Sequence, residues 1–184
     1  MAIAGAKIDV WEADATGHYD TQYGSGDVPD YRGVLTSTAD GRFWFKCIKP
    51  PPYPIPGDGP VGELLNALGR HPFRPGHVHF LITAPGYDTL VTALYVKGDP
   101  YEMSDAVFGV KSSLVVEFKK IEDEAVLREY GLEKGAWRVQ YDFVMVGEKE
   151  VELLRGGKAE EAEEWGRHRR AELVEGLLAL DVVD

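Results

Sequence analysis

Two histidines stand one residue apart in the segment RPGHVHF, residues 74–80. Successive side chains of a β-strand point to opposite faces, so we expect His77 and His79 to share one face while Val78 points away. Two imidazoles on one strand face are a frequent pair of metal ligands. A hydrogen-bonded histidine pair beside a cleft is the alternative, and the spacing by itself favours neither interpretation.

The identity of such a metal depends on the other ligands. Zinc would need a cysteine or a third histidine, and a ferrous oxygenase site would need a carboxylate. The segment HVHFLITA contains no acidic residue, whereas Tyr19 lies in TGHYDTQYG and Tyr53 lies in KPPPYPIPGDGP. A strongly Lewis-acidic cation can ionise a phenol, by the same logic that ionises metal-bound water, and phenolates suit ferric iron. Buried packing with a hydrogen-bonded hydroxyl is the ordinary alternative for each tyrosine.

The elements that must position these residues are mostly short strands. Six runs rich in β-branched and aromatic residues are separated by Gly, Pro and Asp clusters, at residues 6–14, 41–48, 76–84, 90–98, 112–121 and 137–147. This pattern predicts a mainly β fold, an antiparallel sandwich or barrel. Six prolines between Lys49 and Pro60 predict a stiff loop that holds Tyr53 in place.

Two segments have helical spacing instead. Residues 61–70 place Val61, Leu64, Leu65 and Leu68 on one helical face, and Gly69 follows as a stop signal. The tail, residues 158–180, predicts an amphipathic helix after a glycine-rich hinge in LLRGGKA; its apolar residues are Ala162, Trp165, Leu173, Leu177 and Leu180.

Composition excludes some partners. The 184 residues carry 31 acidic and 20 basic side chains, a net charge of -11, which argues against a nucleic-acid or anionic-membrane surface. The lone cysteine, Cys47, allows no intramolecular disulfide, fits a reducing compartment, and is predicted to be a small core residue. The start, MAIAGAKIDV, shows neither a signal peptide nor a membrane span, so we expect a cytoplasmic protein.

Four separated segments resemble the intradiol ring-cleavage dioxygenases. They are ADATGHYD, PPYPIPGDGPVG, LGRHPFRPGHVHF and APGYDTLVTALYVKGDPY, and the resemblance runs from about Ile3 to Val146. Within that family, PYPIP, DGPVG and SDAVFGVK are most similar to the hydroxyquinol 1,2-dioxygenases and less similar to the catechol enzymes.

The resemblance implies an antiparallel β-sandwich of the intradiol type with short helices, to which the spacing in the tail adds a C-terminal helix. It implies a catalytic iron-binding domain at residues 1–147; the acidic tail at residues 148–184 lies outside the resemblance. It also implies a non-haem Fe(III) ion whose protein ligands are Tyr19, Tyr53, His77 and His79.

The implied reaction is cleavage of a catechol-type ring by O2. Tyr53 would act as a base, Arg74 would stabilise the charge that develops on the ring, and Ile55 would touch the substrate. Hydroxyquinol, giving maleylacetate, is the expected substrate; catechol, giving cis,cis-muconate, is one alternative. A non-enzymatic β-sandwich binding module is another, since a fold does not fix a function. A homodimer is expected.

Two departures from the family stand out. Family members carry an N-terminal helical domain before the sandwich, whereas this sequence opens close to the first catalytic strand and is expected to lack that domain. Ala93 in VTALYV stands where some catechol enzymes have a glutamine, and alanine has no side-chain hydrogen bond to offer.

Overall fold

Strand β5 (His77–Thr83) lies in the middle of a five-stranded sheet and carries both histidines. Its neighbours, β1 (Lys7–Glu12) and β6 (Leu90–Val96), are both antiparallel to it. The edges are β2 (Arg32–Thr36), which is antiparallel to β1, and β7 (Val115–Val116), which is parallel to β6. Because β5 is central, its backbone groups are paired on both sides, which gives its side chains fixed positions.

The computed structural model describes the backbone of residues 2–23, 29–168, 171–174 and 177–180, and the side chains of these ranges as far as residue 158. The smaller elements are β3 (Tyr53–Pro54) paired with β4 (Phe73–Arg74), β8 (Lys119–Lys120) paired with β9 (Trp137–Arg138), the helices α1 (Pro60–Ala67) and α2 (Glu124–Glu129), and 3₁₀ turns at Asp20–Gln22 and Ser112–Leu114. The predicted mainly β fold with short helices is confirmed.

One face of the main sheet forms the core. Ile8 and Val10 of β1 and Val78 and Phe80 of β5 are buried, as expected for the apolar half of a period-two pattern. The second layer packs on Phe80 through aromatic rings, with centroids 6.5, 6.1 and 4.7 Å away, belonging to Phe43, Phe45 and Phe143. The opposite face of β5 is thereby left for the histidines.

Three predicted strands are wrong or incomplete. Residues 41–48 form no hydrogen-bonded strand, and residues 112–121 and 137–147 form only two-residue pieces. Phe43, Phe45 and Phe143 of these segments still pack on Phe80, so the aromatic composition predicted contact with the core and not backbone pairing. Cys47 is exposed rather than buried, because without a strand ladder the alternation of faces is not maintained at this end of the segment.

Helix α1 begins one residue before the predicted helical segment and ends ahead of the predicted stop signal, Gly69. Pro60 occupies its first position, and Gly69 adopts a φ of 62° just after its end, a conformation that costs glycine little. Only one of the four spaced apolar residues, Leu65, is buried. Val61, Leu64 and Leu68 are all more than half exposed.

The described chain divides into two compact units, Met1–Pro85 with Thr89–Val144, and Gly86–Asp88 with Met145–Asp184. The second contains α3 (Glu148–His168) and a hairpin of β10 (Ala171–Val174) and β11 (Leu177–Leu180). The predicted hinge in LLRGGKA lies inside α3. The helix predicted beyond His168 is wrong, because Leu173, Leu177 and Leu180 lie in paired strands. In the sequence a glycine separates two short apolar runs, which is typical of a hairpin. The functional boundary at residue 147 stays a prediction.

Within the described ranges, no helix is both long enough and apolar enough to cross a membrane.

Candidate metal centre

The two histidines meet on the face of β5 that lies opposite Val78 and Phe80, and His77 is fully buried there. Their Nε2 atoms lie 3.0 Å apart, and Val78 between them points into the core, as the alternation predicted. His77 is paired across the sheet with Tyr95 of β6, and His79 with Trp11 of β1. The Trp11 ring stacks on His79 with centroids 4.9 Å apart and planes within 8°, which fixes the plane of that imidazole.

The tautomer of His77 follows from its neighbours. Its Nδ1 lies 2.7 Å from the carbonyl oxygen of Pro75, and a carbonyl can only accept a hydrogen bond. Nδ1 therefore carries the proton, and Nε2 presents its lone pair to the site. This is the arrangement that a metal-binding histidine requires.

The two predicted tyrosines reach the same place. Tyr19 Oη lies 2.8 Å from Tyr53 Oη and 3.1 Å from His79 Nε2, and Tyr53 Oη lies 3.3 Å from His77 Nε2. With the contact between the two imidazoles, these distances close a ring of four donor atoms. Four atoms with such separations surround a point about 2 Å from each, which is a usual metal–ligand distance. The structure thus brings together all four residues that the sequence predicted as ligands.

The chemical types of the four donors limit which metal ion could bind. Among the described residues, no group of three or more His, Cys, Asp or Glu side chains could hold an ion. Strand β1 has two acidic residues. Glu12 shares its face with Ile8 and Val10. Asp9, on the face of Trp11, forms an ion pair with Lys7 and lies opposite Leu81. Two imidazoles and two phenols remain as the donors. This set suits a hard trivalent ion better than zinc or ferrous iron.

Burial sets the protonation of the site. Desolvation first, and the Arg74 charge next, lower the pKa of His79 to about 4. Desolvation is also the main cause that lowers the pKa of His77 to about 3. Both imidazoles are neutral at pH 7 and free to act as ligands. Burial and the hydrogen bond with Tyr53 raise the pKa of Tyr19 well above its ordinary value, so only a strong cation would ionise that phenol.

A tightly bonded loop positions Tyr19. The Asp14 carboxylate accepts hydrogen bonds from the backbone amides of Thr16 and His18 at 2.8 and 3.0 Å, and from the Tyr23 hydroxyl at 2.5 Å. The Tyr23 bond is the main cause that holds the pKa of Asp14 well below its usual range. The loop therefore holds its shape without strand pairing.

Close backbone contacts position Tyr53. Its strand β3 pairs with β4 so that Tyr53 lies opposite Arg74, and the Ile55 amide donates to Pro72 O at 3.0 Å. The proline loop lies directly against β5, because a Cβ atom on Gly76 would lie only 2.1 Å from Pro50 O. The predicted stiff loop therefore does place the Tyr53 phenol against the histidines. Ile55, half-buried, follows β3 directly, and its contact with substrate stays a prediction.

Arg74 lies beside the ring of donors. Its Nη1 is 3.1 Å from His77 Nε2, and its side chain is only 12% exposed. Burial alone would lower the pKa of Arg74, but hydrogen bonds and the charge of Asp105 outweigh it and raise that pKa above its ordinary value. A fixed positive charge therefore borders the site.

Sequence reasoning missed Asp105, Tyr95 and Trp11. Asp105 forms an ion pair with Arg74 at 3.1 Å, although 31 residues separate them along the chain. Trp11 and Tyr95 belong to the strands on either side of β5. Trp11 had a local signal, since it lies in the middle of a predicted strand. Its pairing with His79 could be known only from the strand order.

The family model described as Dioxygenase matches residues 1–147. The chain belongs to this family of ring-cleaving enzymes. It is 50% identical over 181 residues to an intradiol ring-cleavage dioxygenase of Aspergillus niger, a match that covers 98% of this chain and 54% of that protein. It is 51% identical over 148 residues to a hydroxyquinol 1,2-dioxygenase of a Rhizobium species, covering 79% of this chain and 50% of the relative.

Solved structures agree with this assignment. Hydroxyquinol 1,2-dioxygenase from Pseudomonas putida DLL-E4 superposes with a TM-score of 0.70 at 44% identity, covering 79% of this chain and 51% of the other. Catechol 1,2-dioxygenase from Acinetobacter radioresistens gives 0.74 at 33% identity, covering 79% and 47%. The predicted relationship to the intradiol dioxygenases is confirmed, and the chain spans about half the length of the relatives it matches.

Proposed function

We propose that this chain carries the catalytic centre of an intradiol dioxygenase that binds Fe(III) through the four ring donors Tyr19, Tyr53, His77 and His79. The observation that carries the proposal is the closed ring of two phenol oxygens and two neutral imidazole nitrogens, 2.8 to 3.3 Å apart. The resemblance points to the same four residues. Phenolates at two positions would offset two of the three charges of the ion and favour the ferric state.

When bound, ferric iron supplies the Lewis acidity that activates a catechol-type ring toward O2. The side chains around it then have separate tasks. Tyr53 takes up a proton from a ring hydroxyl at Oη, as the resemblance implies. Arg74, held 3.1 Å from His77 Nε2, presents a fixed charge to the negative charge that develops on the ring. Trp11 keeps the His79 ring in its plane and covers one side of it.

We propose hydroxyquinol as the substrate. The hydroxyquinol enzyme of Rhizobium is 51% identical and the 6-chlorohydroxyquinol enzyme of Cupriavidus pinatubonensis is 52% identical, whereas the catechol 1,2-dioxygenase of Candida albicans is 34% identical. Ala93 lies opposite His79 on β6, so this position, where some catechol enzymes have a glutamine, is at the site. Hydroxyquinol and O2 combine one to one to give maleylacetate, with both oxygen atoms retained.

The deciding experiment measures oxygen uptake by iron-loaded protein supplied with hydroxyquinol or catechol. We expect one O2 consumed per ring, and a kcat/KM for hydroxyquinol at least about tenfold above that for catechol, since a polar group matched to its site discriminates strongly. Faster turnover of catechol would reverse the substrate assignment. A protein that binds one iron yet consumes no O2 with either compound would support the binding-module alternative and overturn the enzymatic proposal.

A second experiment tests the ligands without turnover. The iron-loaded chain should be wine-red from charge transfer between phenolate and ferric iron, and the double variant Tyr19→Phe, Tyr53→Phe should lose this colour. Tyr130→Phe is the matched control, because its ring packs against Trp44 and makes no contact with the donors. Colour retained in the double variant would rule out these two ligands.

We also propose a cytoplasmic location and a homodimer. Support for the location is the single cysteine, which fits a reducing compartment. Support for the dimer is the apolar surface of α1, where Leu64 and Leu68 are 59% and 61% exposed. Light scattering of the purified chain tests the dimer, and a mass of one chain across micromolar concentrations would contradict it.

A further inference from the structure

We infer that Asp105 is a positioning residue that orients the guanidinium of Arg74 toward the site, an inference that rests on the proposed function. The carboxylate meets Arg74 side-on: Oδ1 lies 3.1 Å from Nε and Oδ2 lies 3.3 Å from Nη2. This two-point contact restrains rotation of the planar group about its long axis. It leaves Nη1 as the edge that faces His77 Nε2, 3.1 Å away.

Contacts other than the one with Arg74 also hold Asp105 in place. Its Oδ2 accepts the Gly109 amide at 2.9 Å, and its Oδ1 accepts the Val107 amide at 3.3 Å, so the turn that follows Asp105 folds around its own carboxylate. Arg70 holds the same turn from outside, donating to Asp105 O at 3.0 Å. Asp105 is 4% exposed, which leaves the carboxylate little freedom to move.

The space around the guanidinium is closed on the remaining sides. Arg74 Nη2 also lies 3.2 Å from the Tyr95 hydroxyl. A Cβ atom on Gly109 would lie 3.0 Å from Arg74 Nη2, 3.0 Å from Tyr95 Oη and 3.2 Å from Asp105 Oδ2. A Cβ atom at position 109 would crowd all three side-chain ends, so glycine lets this turn approach the pair closely. Asp105 and Tyr95 hold Nε and Nη2, and Nη1 is left to face His77.

The alternative is an ion pair that only stabilises the fold. The two roles of Asp105 predict different effects on turnover when Asp105 is removed from a variant that already lacks Arg74. If Asp105 acts through Arg74, its removal has no further effect on turnover in that background, whereas a purely structural contribution adds to the loss in any background. A double-mutant cycle separates them.

The cycle compares the wild type, Asp105→Asn, Arg74→Met and the double variant. Displacing a catalytic group by about 1 Å can cost about 100-fold in rate, so we expect Asp105→Asn to lower kcat by about 10- to 100-fold with little change in KM. The double variant should match Arg74→Met within about twofold. Losses that multiply in the double variant would overturn the inference. Gly109→Ala is a second route, since its Cβ would crowd the contact between Arg74 Nη2 and Asp105 Oδ2 without removing the carboxylate, and we expect it also to lower kcat.

A measurement that does not depend on turnover tests the role of Asp105 separately from the proposed enzymatic activity. In ¹⁵N spectra of the metal-free chain, the Arg74 Nε–H signal, assigned by its absence in Arg74→Met, should exchange slowly with water. Asp105→Asn should speed that exchange at least tenfold. The matched control Asp123→Asn makes the same change at the N-cap of α2, where the side chain accepts from the Ala125 amide and forms no ion pair with a described arginine, and it should leave the exchange unchanged. Unchanged exchange in Asp105→Asn would overturn the inference even if the wild type cleaves hydroxyquinol. If the wild type cleaves neither substrate, this spectrum still decides the orientation of Arg74.

Discussion

Glu12 makes the stability of this protein depend on pH. The residue is 3% exposed, it lies on the core face of β1, and among the described residues neither carboxylate oxygen has a partner with good hydrogen-bond geometry. Burial raises its pKa from 4.5 to about 7, and the nearby Ile48 amide and Cys47 thiol offset this only in part. At pH 8 the folded chain must therefore hold a buried and poorly paired negative charge.

The direction and size of the effect follow from linkage. Below pH 4.5 the carboxyl is protonated in both folded and unfolded chains, so its contribution is fully favourable there. As the pH rises from 4.5 to about 7 the unfolded chain loses the proton first, and the free energy of unfolding falls. At about 1.4 kcal/mol per pKa unit the loss amounts to about 3 kcal/mol, and it is complete above pH 7.

Urea unfolding of the metal-free chain between pH 4.5 and 8 measures this. We expect the stability of Glu12→Gln relative to the wild type to increase by about 3 kcal/mol across that range, because glutamine has no proton to lose. Glu117→Gln, at an exposed position, is the control and should parallel the wild type. Parallel profiles for Glu12→Gln and the wild type would show that burial does not raise the pKa of Glu12.

Two further predictions concern glycines that lie close to the proline loop. Gly76→Ala should destabilise the fold by about 3 kcal/mol or more in thermal or urea unfolding, since its Cβ would lie 2.1 Å from Pro50 O, whereas Gly57→Ala, with open space around it, should be nearly neutral. Gly17→Ala should weaken iron binding and shift the charge-transfer band, because its φ is 83° and its Cβ would lie 2.8 Å from Tyr53 Cβ. Iron stoichiometry checks the second prediction, and full iron content with an unchanged band would contradict it.

Some features of the fold could be predicted because their causes are local. The alternation in HVHFLIT sets which side chains share a face, and the structure places both histidines on the face opposite Val78. The stop signal at Gly69 marked the end of α1, because a glycine just after a helix acts through its own backbone conformation. The strand predicted at residues 41–48 failed because its aromatic composition indicates packing against other rings, while a strand also needs a hydrogen-bonded partner.

The candidate site also combines features that the local sequence determines with features that depend on the tertiary structure. By itself, the sequence determined the chemical types of the donors, the shared face of His77 and His79, the stiffness of the loop around Tyr53, and the family, whose motifs are local. Only the tertiary structure decided that Tyr19 Oη lies 3.1 Å from His79 Nε2, and that Asp105 lies behind Arg74. These contacts join positions 60 and 31 residues apart. They depend on strand order and backbone approach, which side-chain periodicity does not encode.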